Sequence, residues 1–253
     1  MTFAVNAVWL ETFALAAVRM IAFIVIAPPF STGAIPLRVK GMLAMGLALA
    51  VSPRAAQVAE PSSGGAFLGA LVLELVVGAL LGFLVYLAFA AVQSAGGLID
   101  LFGGFSLAQG FDPQSMVNGA QFARLFQMTA VALLFASGGY LLVIGGLLRS
   151  YEAIPVATAA IGIVDAELLV RASGQLLLAA VQIAGPLLVV LVLADIGLGL
   201  LTRVAPQLNA LALGFPLKIF LTLILVVPAF IGLPAVVDAL VGDAADLMGG
   251  VRP

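Results

Sequence analysis

Long apolar runs separated by short polar breaks dominate this chain. About 20 apolar residues in helix cross a hydrocarbon layer, so the runs can be counted as helices. Four stand out, roughly at 66–92, 122–148, 172–201 and 210–233. The stretch from Val8 to Ala27 makes a fifth, interrupted by Glu11 and Arg19. Those two lie about 12 Å apart along a helix axis, too far for a direct ion pair, so each is expected to find a partner on another segment or chain. Met42 to Val51 is shorter; with Pro36-Leu-Arg-Val-Lys40 before it and Ser52-Pro53-Arg54 after it, it reads as a half-span or a short tilted helix. Pro28-Pro29 is expected to end the first helix, because proline lacks the amide donor and disfavours helix in the residue before it. Pro61-Ser-Ser-Gly-Gly65 reads as a flexible connector. No internal repeat and no soluble domain is visible, so residues 1–253 are expected to form a single membrane-associated helical domain.

Composition turns that pattern into a class. The chain is 64% hydrophobic and 9% charged, with a mean hydropathy of +1.27, against about 25% charged residues in soluble domains. The expected fold is all-α, a polytopic membrane-type helical protein with kinked helical hairpins. His 0 and Cys 0 remove the usual zinc sites, thiol nucleophiles, haem ligation and histidine acid–base chemistry, and no cofactor is expected. A net charge of -2 offers no basic field for nucleic acid. No Lys or Arg precedes Arg19, and a secretory signal needs a basic start, so the first run is expected to be retained. Arg38, Lys40, Arg54, Arg149, Arg171, Arg203 and Arg252 fall on both sides of any simple zigzag, which leaves the orientation open.

Four places could carry chemistry. Gly78 and Gly82 share a helix face and allow another helix to approach, with ordinary packing the favoured reading. Glu74 and Asp195 stand inside apolar runs. They could serve a proton or ion relay, as in an ion-coupled secondary transporter, but a contact to Arg, Ser or backbone is favoured because no His or chain of carboxylates accompanies them. In Leu101-Phe-Gly-Gly-Phe-Ser-Leu-Ala-Gln-Gly-Phe-Asp-Pro113, phenylalanines alternate with glycines between two apolar runs. Glycine lets the backbone leave helical geometry, which suits a loop that closes a pore by excluding water and equally a re-entrant turn. Finally, Arg203-Val-Ala-Pro-Gln-Leu-Asn209 and Gly214-Phe-Pro-Leu-Lys218 place cations, amides and prolines between two apolar runs, so something other than lipid must receive them. Ser106 is in no nucleophile elbow, and no paired acids at suitable spacing appear, so an enzyme is not expected.

That last segment resembles the C-terminal signature of the FliR/SctT family of type III secretion export-gate subunits, the gly-phe-pro-leu-lys ending being closer to the flagellar branch. Three further blocks agree in order. They are Arg19 with Ala27-Pro-Pro-Phe30 and Ile35-Pro-Leu-Arg38, then Gly104-Phe-Ser106 with Phe111-Asp-Pro113, then Gly138-Gly-Tyr140 with Arg149-Ser-Tyr151. The resemblance implies a subunit of the core export gate of a flagellar secretion system in the bacterial inner membrane, at the flagellar basal body. It implies a helically arranged assembly with FliP-like and FliQ-like gate subunits, adjoining FlhB-like and FlhA-like export proteins, passing unfolded protein substrates and bordered by membrane lipid. Much of such an assembly stands above the membrane plane. It also implies a pore plug over about Phe102 to Gly119, with Phe102, Gly103, Gly104, Phe105, Phe111, Asp112, Pro113 and Met116 as candidates. Arg19, Glu74, Asp195, Arg203, Pro206, Gln207, Asn209, Phe215, Pro216 and Lys218 become candidate assembly residues, expected to meet neighbouring subunits.

Overall fold

A computed structural model describes residues 7–33, 35–56, 64–105, 120–157, 166–205 and 210–249. Among these the chain is all-α: α1 (Ala7–Ile26), α2 (Pro28–Ser31), α3 (Leu37–Ala55), α4 (Gly64–Phe102), α5 (Gln121–Ala136), α6 (Gly139–Ala153), α7 (Ala166–Val204) and α8 (Ala210–Met248). Four helices are long and apolar enough to cross a membrane, or five if the bent pair α5 and α6 counts as one span. The chain is a polytopic membrane protein.

Proline and glycine set several of the boundaries. Helix α1 stops before Pro28, and Pro28-Pro29 then occupy the first turn of α2, where a missing N–H breaks no bond. Helix α3 is longer than the Met42–Val51 run on both sides. Arg38 and Lys40 enter its exposed first turn, and the helix continues through Pro53. Pro53 cannot donate to the Leu49 carbonyl, but the Ser52 hydroxyl donates to it at 3.2 Å, which offsets the loss.

The apolar run at 122–148 is not one helix. It breaks at Ser137-Gly138 and bends by 79°. Gly138 has φ +78, a conformation that only glycine adopts without steric cost, and its carbonyl accepts from Leu141 N at 2.9 Å. In the other direction, the run at 66–92 continues to Phe102, and the run at 210–233 continues through Pro234 to Met248. Helices α4, α7 and α8 each hold 39 residues, roughly 58 Å at the α-helical rise. That is about twice the hydrocarbon thickness of a bilayer, so each helix extends well past it.

Packing divides the chain into two compact units, residues 1–88 with 134–172 and 239–253, and residues 89–133 with 173–238. In the first unit, Gly78 and Gly82 turn one face of α4 to the α1 backbone. A Cβ at Gly78 would overlap the Arg19 carbonyl, and one at Gly82 would lie 3.0 Å from the Phe23 carbonyl. Glu74 is one turn before Gly78, on that same face. In the second unit, Phe126 and Phe230 meet at 4.8 Å between ring centroids, and Gly96 lets α5 start so close that a Cβ would stand 2.6 Å from Ala123 Cα.

Candidate functional site

The first unit is organised around a buried charge. The Arg19 side chain has no exposure, and its partner Glu74 is 4% exposed. Arg19 Nε donates to Glu74 Oε2 at 2.5 Å and Nη2 to Oε1 at 3.0 Å, a two-pronged pair. Nη1 donates to the carbonyls of Ile154 at 3.0 Å and Ser150 at 3.4 Å, past the end of α6 and within it. The Tyr151 ring lies 4.1 Å from the guanidinium carbon, and its hydroxyl donates to the Ala16 carbonyl at 3.1 Å. Glu74 Oε1 also accepts from the amide of Ala157 at 3.2 Å. Ala157 has φ +64, a left-handed backbone that costs about 1–2 kcal/mol for a residue with a Cβ. The cluster therefore fastens α1, α4, α6 and the turn after α6 through groups whose hydrogen bonds are met inside the unit. Arg19 and Glu74, each without an ion-pair partner in its own helix, answer one another.

In the second unit the described residues on either side of 106–119 are tied to one another. Asp100, 2% exposed near the end of α4, accepts from Phe122 N with Oδ1 at 3.0 Å and from Ala123 N with Oδ2 at 2.9 Å. A carboxylate on the first free amides of a helix both caps it and complements its dipole. Here the cap comes from another helix. Phe105 packs edge-on against Phe122 with centroids 5.1 Å apart. Gly103 lies under Thr222, where a Cβ would stand 2.8 Å from Oγ1, and Gly104, with φ +85, faces the Phe215 ring. Thr222 Oγ1 is the buried side-chain polar atom without a hydrogen-bond partner among the described residues. Phe102 is the last residue of α4. Phe111, Asp112, Pro113 and Met116 lie outside the described residues.

The third feature is also in the second unit, where Lys218 Nζ of α8 meets Asp195 Oδ1 of α7 at 2.5 Å. Arg203 is in the last turn of α7, exposed, where a cation complements the helix dipole. Pro216 is inside α8, and Pro206, Gln207 and Asn209 lie outside the described residues. Arg19, Glu74, Asp195 and Lys218 each have an ionic partner on another helix of this chain.

Sequence reasoning missed Asp100, Ser150, Tyr151, Ala157 and Thr222. Asp100 follows an apolar run just as Glu74 sits in one, so the same rule reaches it. Tyr151 closes one of the resemblance blocks, but nothing in its spacing points to Arg19. A left-handed Ala157 leaves no trace in the sequence.

Residues 10–244 match the family described as "Bacterial export proteins, family 1". The chain belongs to that family. Among its relatives, the flagellar biosynthetic protein FliR of Escherichia coli (strain K12) is 33% identical over 211 residues, covering 83% of this chain and 81% of that one. FliR of Pectobacterium carotovorum subsp. carotovorum is 32% identical over 246 residues, covering 96% and 93%. The Yop proteins translocation protein T of Yersinia pestis is 33% identical over 151 residues, covering 57% and 56%. This family 1 export protein thus aligns with flagellar relatives over more of its length than with the Yersinia relative. The matched range takes in Arg19, Glu74, Asp100 and the Asp195–Lys218 pair.

Proposed function

We propose that the chain is a non-enzymatic subunit of the core export gate of a flagellar type III secretion system. In this reading it helps to form and close the channel that passes unfolded flagellar proteins across the bacterial inner membrane, within the basal body. The observation that carries it is near end-to-end similarity to flagellar relatives, 93% of one of them being covered. FliP-like and FliQ-like gate subunits and FlhB-like and FlhA-like export proteins are the partners it implies. Three helices about twice as long as the hydrocarbon layer is thick fit an assembly that continues beyond the membrane.

Within this reading, Phe102 to Phe105 together with Phe111, Asp112, Pro113 and Met116 belong to the loop that closes the channel. Support comes from the way both stems of that loop are held, by Asp100 on the α5 amides and by Phe105 on Phe122. An ion-coupled transporter is disfavoured because Glu74 and Asp195 are each engaged by a cation of the same chain. Deleting the gene should abolish flagellar protein secretion and motility, and restoring it should return both; a deletion strain that still swims would refute the reading. Replacing Phe105 and Phe111 together by Gly should raise ion leakage through cells that carry the gate, and unchanged leakage would remove the plug assignment.

A further inference from the structure

Thr222 is fully buried in α8, and its Oγ1 has no hydrogen-bond partner among the described residues. A buried hydroxyl left without a partner carries its desolvation cost uncompensated. Other helical hydroxyls of this chain avoid that cost by turning back on their own helix. Thr12 donates to the Val8 carbonyl at 2.7 Å, Ser52 to Leu49 at 3.2 Å, Ser150 to Leu147 at 2.7 Å and Thr202 to Gly199 at 2.9 Å. Thr222 instead presents its hydroxyl to the end of α4.

What stands there is a pair of glycines in the last turn and just past it. A Cβ on Gly103 would lie 2.7 Å from the Ile99 carbonyl oxygen and 2.8 Å from Thr222 Oγ1, so the two oxygens flank the same point. The Ile99 carbonyl is the acceptor that closes the last turn of α4, taking Gly103 N at 2.8 Å. Gly104 follows with φ +85 and faces the Phe215 ring of α8. The backbone therefore leaves helical geometry at two residues with no side chain to resist rotation. Before this pair the chain is anchored by both Asp100 oxygens on the α5 amides, and beyond it Phe105 rests edge-on against Phe122. If the last turn opens, Ile99 loses its donor while still buried, and Thr222 is the unsatisfied donor beside it.

We propose that Thr222 is a catch for the end of α4. When Gly103 N leaves the Ile99 carbonyl and Phe102 to Phe105 swing about Gly103 and Gly104, the Thr222 hydroxyl takes over as donor to Ile99. The closed turn leaves a buried hydroxyl bare, whereas the opened turn pairs it, so the exchange of donors lowers the cost of opening. The part this plays in export rests on the export-gate reading, in which Phe102 to Phe105 belong to the loop that closes the channel; the exchange of donors itself does not.

Thr222→Val keeps the shape of the side chain and removes the hydroxyl. The closed turn then loses nothing and sheds an unpaired group, so the thermal midpoint of the full chain in detergent should rise by roughly 2–4 °C. The opened turn loses its donor. Amide exchange at Gly103, read by mass spectrometry from overlapping peptides across 99–105, should therefore slow roughly fivefold or more, while the Phe122 and Ala123 amides exchange as before. In cells that make the whole apparatus, secretion per isolated gate complex should fall by a similar factor. Thr222→Ser restores a hydroxyl and should return both exchange and secretion toward wild type. Unchanged exchange at Gly103 in Thr222→Val, or a lowered thermal midpoint, would show that the hydroxyl is already satisfied and would overturn the catch. A Ser variant that behaves like the Val variant would trace the effect to shape and overturn it as well. Slower exchange with unchanged secretion per complex would remove the catch from the export step. A wild-type chain that joins no complex with other export subunits sinks the export-gate reading and that role together, while the exchange comparison, made on the full chain by itself, still decides whether Thr222 replaces Gly103 on Ile99.

Discussion

At the residue scale, the decisive interaction is the Arg19–Glu74 pair, and its value depends on what is compared. Taking two charges out of water is costly, so the pair is no guarantee of stability, but removing one partner strands the other in an apolar interior. Arg19→Leu should therefore destabilise the chain by about 3–5 kcal/mol, read as a fall in melting temperature in detergent and in membrane abundance. Arg19→Leu combined with Glu74→Leu should recover part of that loss, and a double variant no better than the single one would refute a net ionic cause. Ala157 offers a prediction of opposite sign. Its φ of +64 strains an alanine and not a glycine, so Ala157→Gly should stabilise by about 1 kcal/mol; a lower melting temperature would show that the methyl group contributes packing that outweighs the strain. The isolation of Arg19 and Glu74 in apolar runs was legible in the sequence. Their pairing was not, because it joins residues 55 positions apart through a helix crossing that no single segment specifies.

At the element scale, apolar runs located the helices but not their ends. Hydropathy falls after Val92, yet α4 continues to Phe102, because Gln93, Ser94 and Gly96 are compatible with helix and Gly96 is needed where α5 approaches. The break at Gly138 went unread for the converse reason: two glycines within an apolar run are common in membrane helices, and only the backbone shows that one is left-handed. Asp100 makes the same point about caps. A helix whose cap lies in the preceding residues can be recognised locally, whereas α5 takes its acceptors from a residue 22 positions upstream. Asp100→Ala should unfasten the start of α5, at a cost of about 1–2 kcal/mol, and speed amide hydrogen exchange at Phe122 and Ala123 ahead of the rest of α5. Asp100→Asn keeps one acceptor and should fall between. Unchanged exchange at those two amides would mean that the carboxylate is not their partner in solution.

At the scale of the whole molecule, the question is whether the buried carboxylates act in transport or only in construction. The resemblance blocks settled the family well before any geometry, since they lie from Arg19 to Lys218 and the matched range is 10–244; the plug candidates Phe111, Asp112, Pro113 and Met116 stay legible only by resemblance, as they fall outside the described residues. Glu74 decides between the two roles. Its oxygens already take Arg19 Nε and Nη2 and the Ala157 amide, so a coupling ion would have to displace a bidentate guanidinium from a site that water does not reach. A structural role therefore predicts that Glu74→Gln lowers the amount of assembled gate, because the buried guanidinium loses its counter-charge. Secretion should fall in proportion, while the rate per assembled complex and its dependence on the proton gradient stay as in wild type. A coupling role predicts the reverse, normal assembly with a lost or altered gradient dependence. Quantifying isolated gate complexes alongside secreted flagellar protein, across a range of imposed gradients, separates the two outcomes, and a gate that assembles fully yet stops exporting would make Glu74 part of the transport machinery after all.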